Sequence, residues 1–186
     1  RWRPGPTGRS TSTAPCRWSV ADDGTVDVDH DPLRPDCERC VGLCCVALPF
    51  GAGADFPFDK PAGEPCPNLA ADHRCTIHDR LRPSGFPACV AYDCFGAGQD
   101  VAQVIFAGAD WRWDPSVAPP MFAAFRALRP IHELRAYVRE ARSWPAAAEV
   151  HDLLDEAVPV CNELARTDLA EAFAEPLAVR HAHAQG

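Results

Sequence analysis

Between Cys37 and Cys94 the chain carries eight of its ten cysteines: Cys37, Cys40, Cys44, Cys45, Cys66, Cys75, Cys89 and Cys94. They alternate with Pro49, Pro57, Pro61, Pro65, Pro67, Pro83 and Pro87. Proline fixes φ and removes a backbone donor, so this spacing nearly excludes long regular elements. A loop-rich segment of this kind needs an organiser. Thiols packed this densely repel one another when ionised and oxidise when free, which leaves disulfides or metal. At 186 residues and 47% hydrophobic, the chain can bury a core and does not need disulfides merely to fold. Residues 1–14 are rich in Arg, Pro, Gly, Ser and Thr and lack the apolar centre of a secretory signal. A cytoplasmic location is therefore expected, and there clustered cysteines point to metal. Because the chain begins at Arg1 rather than Met, a processed end, an alternative start and a truncation all stay open. No run approaches the ~18 apolar residues of a membrane span, so no membrane partner is expected.

All eight cysteines of the window are expected to be metal ligands. In Cys37-Glu38-Arg39-Cys40 the x2 spacing lets both sulfurs face one ion while backbone N–H groups turn toward them, the form of a metal knuckle. Cys44 and Cys45 are adjacent, so their side chains should diverge and serve different ions or different corners of a cluster. Eight thiolates make two four-sulfur sites by arithmetic, as zinc ions or as iron–sulfur centres, with the pairing left open. The run of the first four cysteines is near the bacterial ferredoxin pattern Cys-x2-Cys-x2-Cys-x3-Cys-Pro, but neither Cys44 nor Cys45 precedes a proline. Cys75-Thr76-Ile77-His78 offers a nitrogen ligand at the same x2 spacing, although surface positions beside a loop are the simpler reading of His78 and His73. Cys161, in an apolar helical context, reads as a small buried hydrophobe, and Cys16 as a free thiol.

Four zones follow: a flexible N-terminal segment 1–35, with an edge strand possible over 25–28; the cysteine-cluster region 36–96; a helical region 97–167; and a C-terminal tail 168–186 that frays. In the helical region Val101, Val104 and Ile105 recur at helical spacing and Gly108 suits a C-terminal cap. Asp114-Pro115-Ser116 offers an N-terminal cap. Phe122, Phe125, Leu128, Ile131, Leu134 and Val138 form a stripe interrupted by Pro130, which predicts two helices or a kinked one. A helix follows Ser143-Trp144-Pro145 with Val150, Leu153, Leu154 and Ala157 inward, and a further one, broken by Pro159, reaches Leu164. Trp111, Trp113, Phe122 and Phe125 read as aromatic core. The expected fold is mainly α, a loop-rich, metal-stabilised cysteine-cluster region packed on a small helical bundle.

The net charge of −8, with Lys60 the sole lysine and the arginines scattered, does not indicate nucleic-acid binding. No Gly-x-x-x-x-Gly-Lys-Ser/Thr loop, Gly-x-Ser-x-Gly elbow or His-Glu-x-x-His helix occurs, and Gly96-Ala97-Gly98 is too short for a dinucleotide loop. No catalytic or organic-cofactor residue is singled out, and whether the chain is an enzyme stays open. The order Cys37-x2-Cys40-x3-Cys44-Cys45, Cys66-Pro67-Asn68-Leu69, Cys75-Thr76-Ile77-His78 with Arg80, Arg82 and Pro83, then Cys89, resembles a bacterial cysteine-cluster family described as zinc- or iron-chelating. That family opens with Cys-x2-Cys-x2-Cys-Cys, so the extra residue between Cys40 and Cys44 bears on ligand geometry, and His78 stands where an aromatic is usual. Cys40-Val-Gly-Leu-Cys-Cys-Val-Ala-Leu-Pro-Phe, Asp59-Lys-Pro-Ala-Gly, His78-Asp-Arg-Leu-Arg and Asp93-Cys-Phe-Gly-Ala-Gly-Gln look like the N-terminal part of actinobacterial pentapeptide-repeat proteins, over about 36–145. The repeats themselves are absent, so solenoid function does not carry over. The resemblance implies a metal-binding or structural module with a possible protein partner. Its alternative is an iron–sulfur redox or accessory enzyme acting on a partner. A hydrolase built on His78 with Asp79 or Asp93 is disfavoured, because cysteine would saturate the metal.

Overall fold

The computed structural model describes residues 31–166, and within them the chain is mainly helical and loop-rich. Cys16, the expected strand over 25–28 and the tail 168–186 lie outside the described residues. The only β-type pairings among the described residues are the isolated bridges Phe50 to Lys60 and Leu69 to Cys75. The proline spacing has the predicted effect: in the cysteine window α1 (Leu43–Ala47) and α2 (Pro87–Ala91, with proline in its first turn) are five residues each. A single 3-10 turn, His78–Arg80, lies between them.

α3 (Ala97–Gln99) runs directly into a π-helical segment, Asp100–Ile105, and Gly108 ends the element in the left-handed region (φ 82°), its N–H donating to the Ala102 carbonyl at 2.8 Å. The wider π turn changes which side chains share a face. Val101 and Ile105 are buried, whereas Val104, expected with them, is exposed.

α4 (Ala118–Ser143) passes unbroken through Pro130. Of the two alternatives, the division into two helices gives way because α4 is packed on both sides of the proline, by Phe125 and Leu128 before it and His132 and Val138 after it. Packing of that extent outweighs the roughly 3 kcal/mol that an internal proline costs. Leu134, assigned to the stripe, is exposed, and His132 takes the buried position, its Nδ1–H donating to the Phe95 carbonyl at 2.6 Å. The expected Asp114 cap instead closes a turn before the helix: Asp114 Oδ1 accepts the Ser116 N–H at 3.0 Å, and α4 starts at Ala118 without a side-chain cap.

A 3-10 stretch, Pro145–Val150, leads to α5 (His151–Arg166), which packs along α4 and continues through Pro159. Cys161 is buried as expected, and Leu154 and Ala157 are half-buried. Val150 and Leu153 are exposed, contrary to the predicted inward face.

The main core joins the two zones. Leu43, Val46 and Ala47 of α1 meet Met121, Phe122, Phe125 and Leu128 of α4 together with Val101, Phe106 and Trp111. A second apolar cluster, Ile77, Leu81 and Phe86, is faced by Phe50, Phe56 and Phe58, with Phe50 and Phe56 stacked at 4.2 Å. The cysteine region therefore has apolar cores as well as its thiols. Trp113, placed in the core by its aromaticity, is 88% exposed. Residues 31–35 are tied down rather than loose: Leu33 is buried, and both Asp31 carboxylate oxygens lie 2.7 Å from Arg139 Nη1. Gly96 (φ 77°) meets this segment, since a Cβ there would lie 1.9 Å from the Pro32 carbonyl oxygen.

Candidate metal centre

Cys44 and Cys45 ride on α1, and the other six cysteines approach it from two directions. On one side, the turn bearing Cys37 and Cys40 docks on the start of the π segment. The Asp36 N–H donates to Gln99 Oε1 at 2.9 Å, and Gln103 Nε2 donates to the Arg39 carbonyl at 2.8 Å. The Cys40 sulfur presses against Gly98, where a Cβ would lie only 2.6 Å from it. Cys94 reaches the same place because its carbonyl accepts the Ala97 N–H at the opening of α3. On the other side, the Cys66 N–H donates to the Cys45 carbonyl at 2.9 Å, and the Leu69 to Cys75 bridge brings Cys75 beside that strand of loop. Cys75 and Cys89 pack against the same Ile77, Leu81 and Phe86 cluster.

All nine described cysteines are free thiols, from exposed Cys37 to buried Cys66 and Cys161. The Cys44 and Cys45 sulfurs are 3.8 Å apart, so the expected divergence of these neighbours is replaced by contact. The contact and burial push Cys44 up, while the same contact, helped by the Lys60 ammonium, lowers Cys45 against the effect of its burial. Burial raises Cys37, Cys66 and Cys75, and takes Cys40 and Cys89 up to about 11. Against that trend, backbone N–H groups favour the thiolate at three positions: Leu43 and Gly42 at Cys40, Asn68 at Cys66, and Ile77 at Cys75. Such N–H to sulfur contacts are what metal-bound thiolates use to spread their charge.

Two residues absent from the expected set stand beside these thiols. Lys60 is 4% exposed, and its ammonium donates to the carbonyls of Val46, Pro61 and Glu64 at 3.3, 3.1 and 2.8 Å. Burial lowers its pKa, while Cys66 and Cys45 draw it back up. Its signal in the sequence is its being the sole lysine, in Asp59-Lys60-Pro61 at the edge of the window. Tyr92 has a buried hydroxyl with no hydrogen-bond partner, although Arg129 lies over its ring at 5.5 Å. Nothing in the local sequence marks it.

The histidines are placed differently from one another. His78 is exposed in its 3-10 turn. His73, expected at the surface, is engaged: its Nε2 lies 2.7 Å from Asp110 Oδ2, Arg112 Nε donates to its Nδ1 at 3.3 Å, and its ring faces Trp111. Asp93 accepts the Phe95 N–H at 2.6 Å. Among the described residues no group of three or more His, Cys, Asp or Glu side chains already surrounds one point closely enough to hold an ion. The donor chemistry nonetheless fits a soft metal: clustered sulfurs, nearby backbone N–H groups that favour three of them as thiolates, and a buried hydroxyl lacking an acceptor.

Fold and site together define a cysteine-rich, mainly helical protein whose thiols gather around α1. It is similar to the uncharacterized protein YybG of Bacillus subtilis (strain 168), with 45% identity over 137 residues, which is 74% of this chain and 49% of that protein. The chain thus spans about half the length of the curated relative it matches. No family model matches the chain, and no solved structure matches it. Among the described residues no helix is long and apolar enough to cross a membrane.

Proposed function

We propose that this chain is a metal-binding cysteine-cluster protein, a binding or structural module whose thiolates Cys37, Cys40, Cys44, Cys45, Cys66, Cys75, Cys89 and Cys94 hold zinc or an iron–sulfur cluster. The observation that carries the reading is the convergence of the cysteine-bearing loops on α1, where the Cys44 and Cys45 sulfurs lie 3.8 Å apart, the Cys66 N–H is held by the Cys45 carbonyl and the Cys40 turn is held against Gly98. Nearby backbone N–H groups of Leu43, Gly42, Asn68 and Ile77 favour the thiolates of Cys40, Cys66 and Cys75, as a metal-bound sulfur requires. The reading implies a reducing compartment, the cytoplasm, and leaves room for a protein partner. Zinc would cross-link the loops, whereas an iron–sulfur cluster would add electron transfer and turn the protein toward redox or accessory chemistry on a partner.

Elemental analysis and an absorption spectrum on protein purified without oxygen test this. About two zinc per chain with no visible band supports the structural module. Iron with inorganic sulfide and a broad band near ~400 nm supports the redox form. A chain free of zinc, iron and other transition metals, with its eight thiols oxidised to disulfides in the cell, overturns the reading.

A further inference from the structure

The reading of a metal protein leaves the pairing of its ligands open, and the inference here rests on that reading. We infer that the eight thiols form two separate centres, one held by Cys37, Cys40, Cys44 and Cys94 and the other by Cys45, Cys66, Cys75 and Cys89, divided at the Cys44–Cys45 peptide bond.

The backbone draws the division. The Cys37 and Cys40 turn is fastened through Gln99 and Gln103 to the helical element that begins three residues after Cys94, and Gly98 of that element touches the Cys40 sulfur. Cys66 is fastened to the Cys45 carbonyl, the bridge from Leu69 holds Cys75 alongside, and Cys89 shares its apolar cluster with Cys75. Electrostatic contact between the sulfurs follows the same line. Cys94 acts on Cys37, Cys40 and Cys44, and Cys40 acts on Cys44. Cys45 and Cys66 act on Cys75 and Cys89, and Cys75 acts on Cys89. Two links cross the line, Cys45 on its neighbour Cys44 and, more weakly, on Cys37; both fit two centres lying side by side, as does the 3.8 Å contact of Cys44 with Cys45.

Each set also has its own polar companion. The unpartnered Tyr92 hydroxyl is close enough to Cys44 and Cys94 to feel their charge, and it is a donor available to a thiolate of the first set. Lys60 interacts most with Cys66 and Cys45 of the second set and less with Cys44 of the first, and its buried ammonium offsets part of the negative charge that four thiolates leave on a divalent ion.

Reconstituting the metal-free chain with spin-active cadmium tests the division, because scalar coupling between cadmium and the cysteine β-protons reports which cysteines share an ion without any substitution. Two cadmium signals are expected, one correlated with Cys37, Cys40, Cys44 and Cys94 and the other with Cys45, Cys66, Cys75 and Cys89. Correlation of Cys44 and Cys45 with one ion, or of Cys94 and Cys89 with one ion, overturns the division while leaving metal binding intact. A wild-type chain that takes up no cadmium overturns the metal-binding reading and the division with it. Metal content of folded variants supplies a second readout. Cys94→Ser and Cys89→Ser should each lose one of two ions and their combination both, whereas equal loss from the single and the combined variants contradicts two separate centres.

Discussion

Residues 36–96 and the helix α4 bury apolar side chains into one another, yet they hold their shapes in different ways. α4 is a 26-residue helix whose backbone ladder lacks a donor in its interior only at Pro130, with Met121, Phe125, Leu128 and His132 fully enclosed. The cysteine region has two five-residue helices, a 3-10 turn and two isolated bridges, and its backbone is fixed by single contacts such as Cys66 to Cys45 and Asp36 to Gln99. Apolar packing is non-directional and tolerates a loop moving on its surface. Metal–thiolate bonds are directional, so the second region gains most from them. The difference teaches that α1 is the hinge of the design: one face carries Leu43, Val46 and Ala47 into the helical core, and the same five residues carry Cys44 and Cys45 to the thiols.

The largest effect expected is from Cys44→Ser. It should lose the ion that Cys44 helps to hold and open the loops around it to protease, because metal binding of this type supplies folding free energy on the order of 10 kcal/mol. A variant that loses this ion and stays protease-resistant breaks the comparison. Next, Phe125→Ala should lower stability by about 3–5 kcal/mol in a denaturant titration while the folded protein keeps its metal; loss of metal from folded protein would show that the two regions are not held separately.

The pH response should carry the sign of thiolate ligation. The loaded chain needs thiolates, and burial that takes Cys40 and Cys89 from the ordinary 9.0 to about 11 makes the proton a stronger competitor for them, so metal is lost and stability falls as the pH drops. Denaturation midpoints of the loaded protein across pH check the sign, and a midpoint that does not fall toward acid contradicts it. The smallest effect on metal is expected from Cys161→Ser. This thiol is buried on α5, so stability falls by about 1–3 kcal/mol while the metal content is unchanged. Loss of a whole equivalent would add Cys161 to the ligands.

Much of the fold was legible because it follows from local rules. Proline spacing predicts the short helices of the window, and the stripe from Phe122 through Leu128 predicts the buried face of α4. His132 was missed because an apolar pattern skips a polar residue, and its burial depends on the Phe95 carbonyl, 37 residues away. Pro159 misled for the reverse reason, as did Pro130 where it suggested two helices: a local cost was outweighed by packing that a local pattern does not contain. At the candidate site the eight cysteines were legible as a group, but their grouping depends on Gly98, Gln99 and Gln103 meeting the Cys37 turn, contacts more than 55 residues distant in sequence. Lys60 and Tyr92 are read only once the chain is folded around them.

Hydrogen exchange on protein purified without oxygen, before and after a strong chelator removes its metal, tests the central claim most directly. Metal removal should abolish amide protection at Cys66, Leu69 and Thr76, whose N–H groups are held by loop contacts, and leave the centre of α4 protected. Unchanged protection in both regions would contradict the claim that metal holds the cysteine-bearing loops.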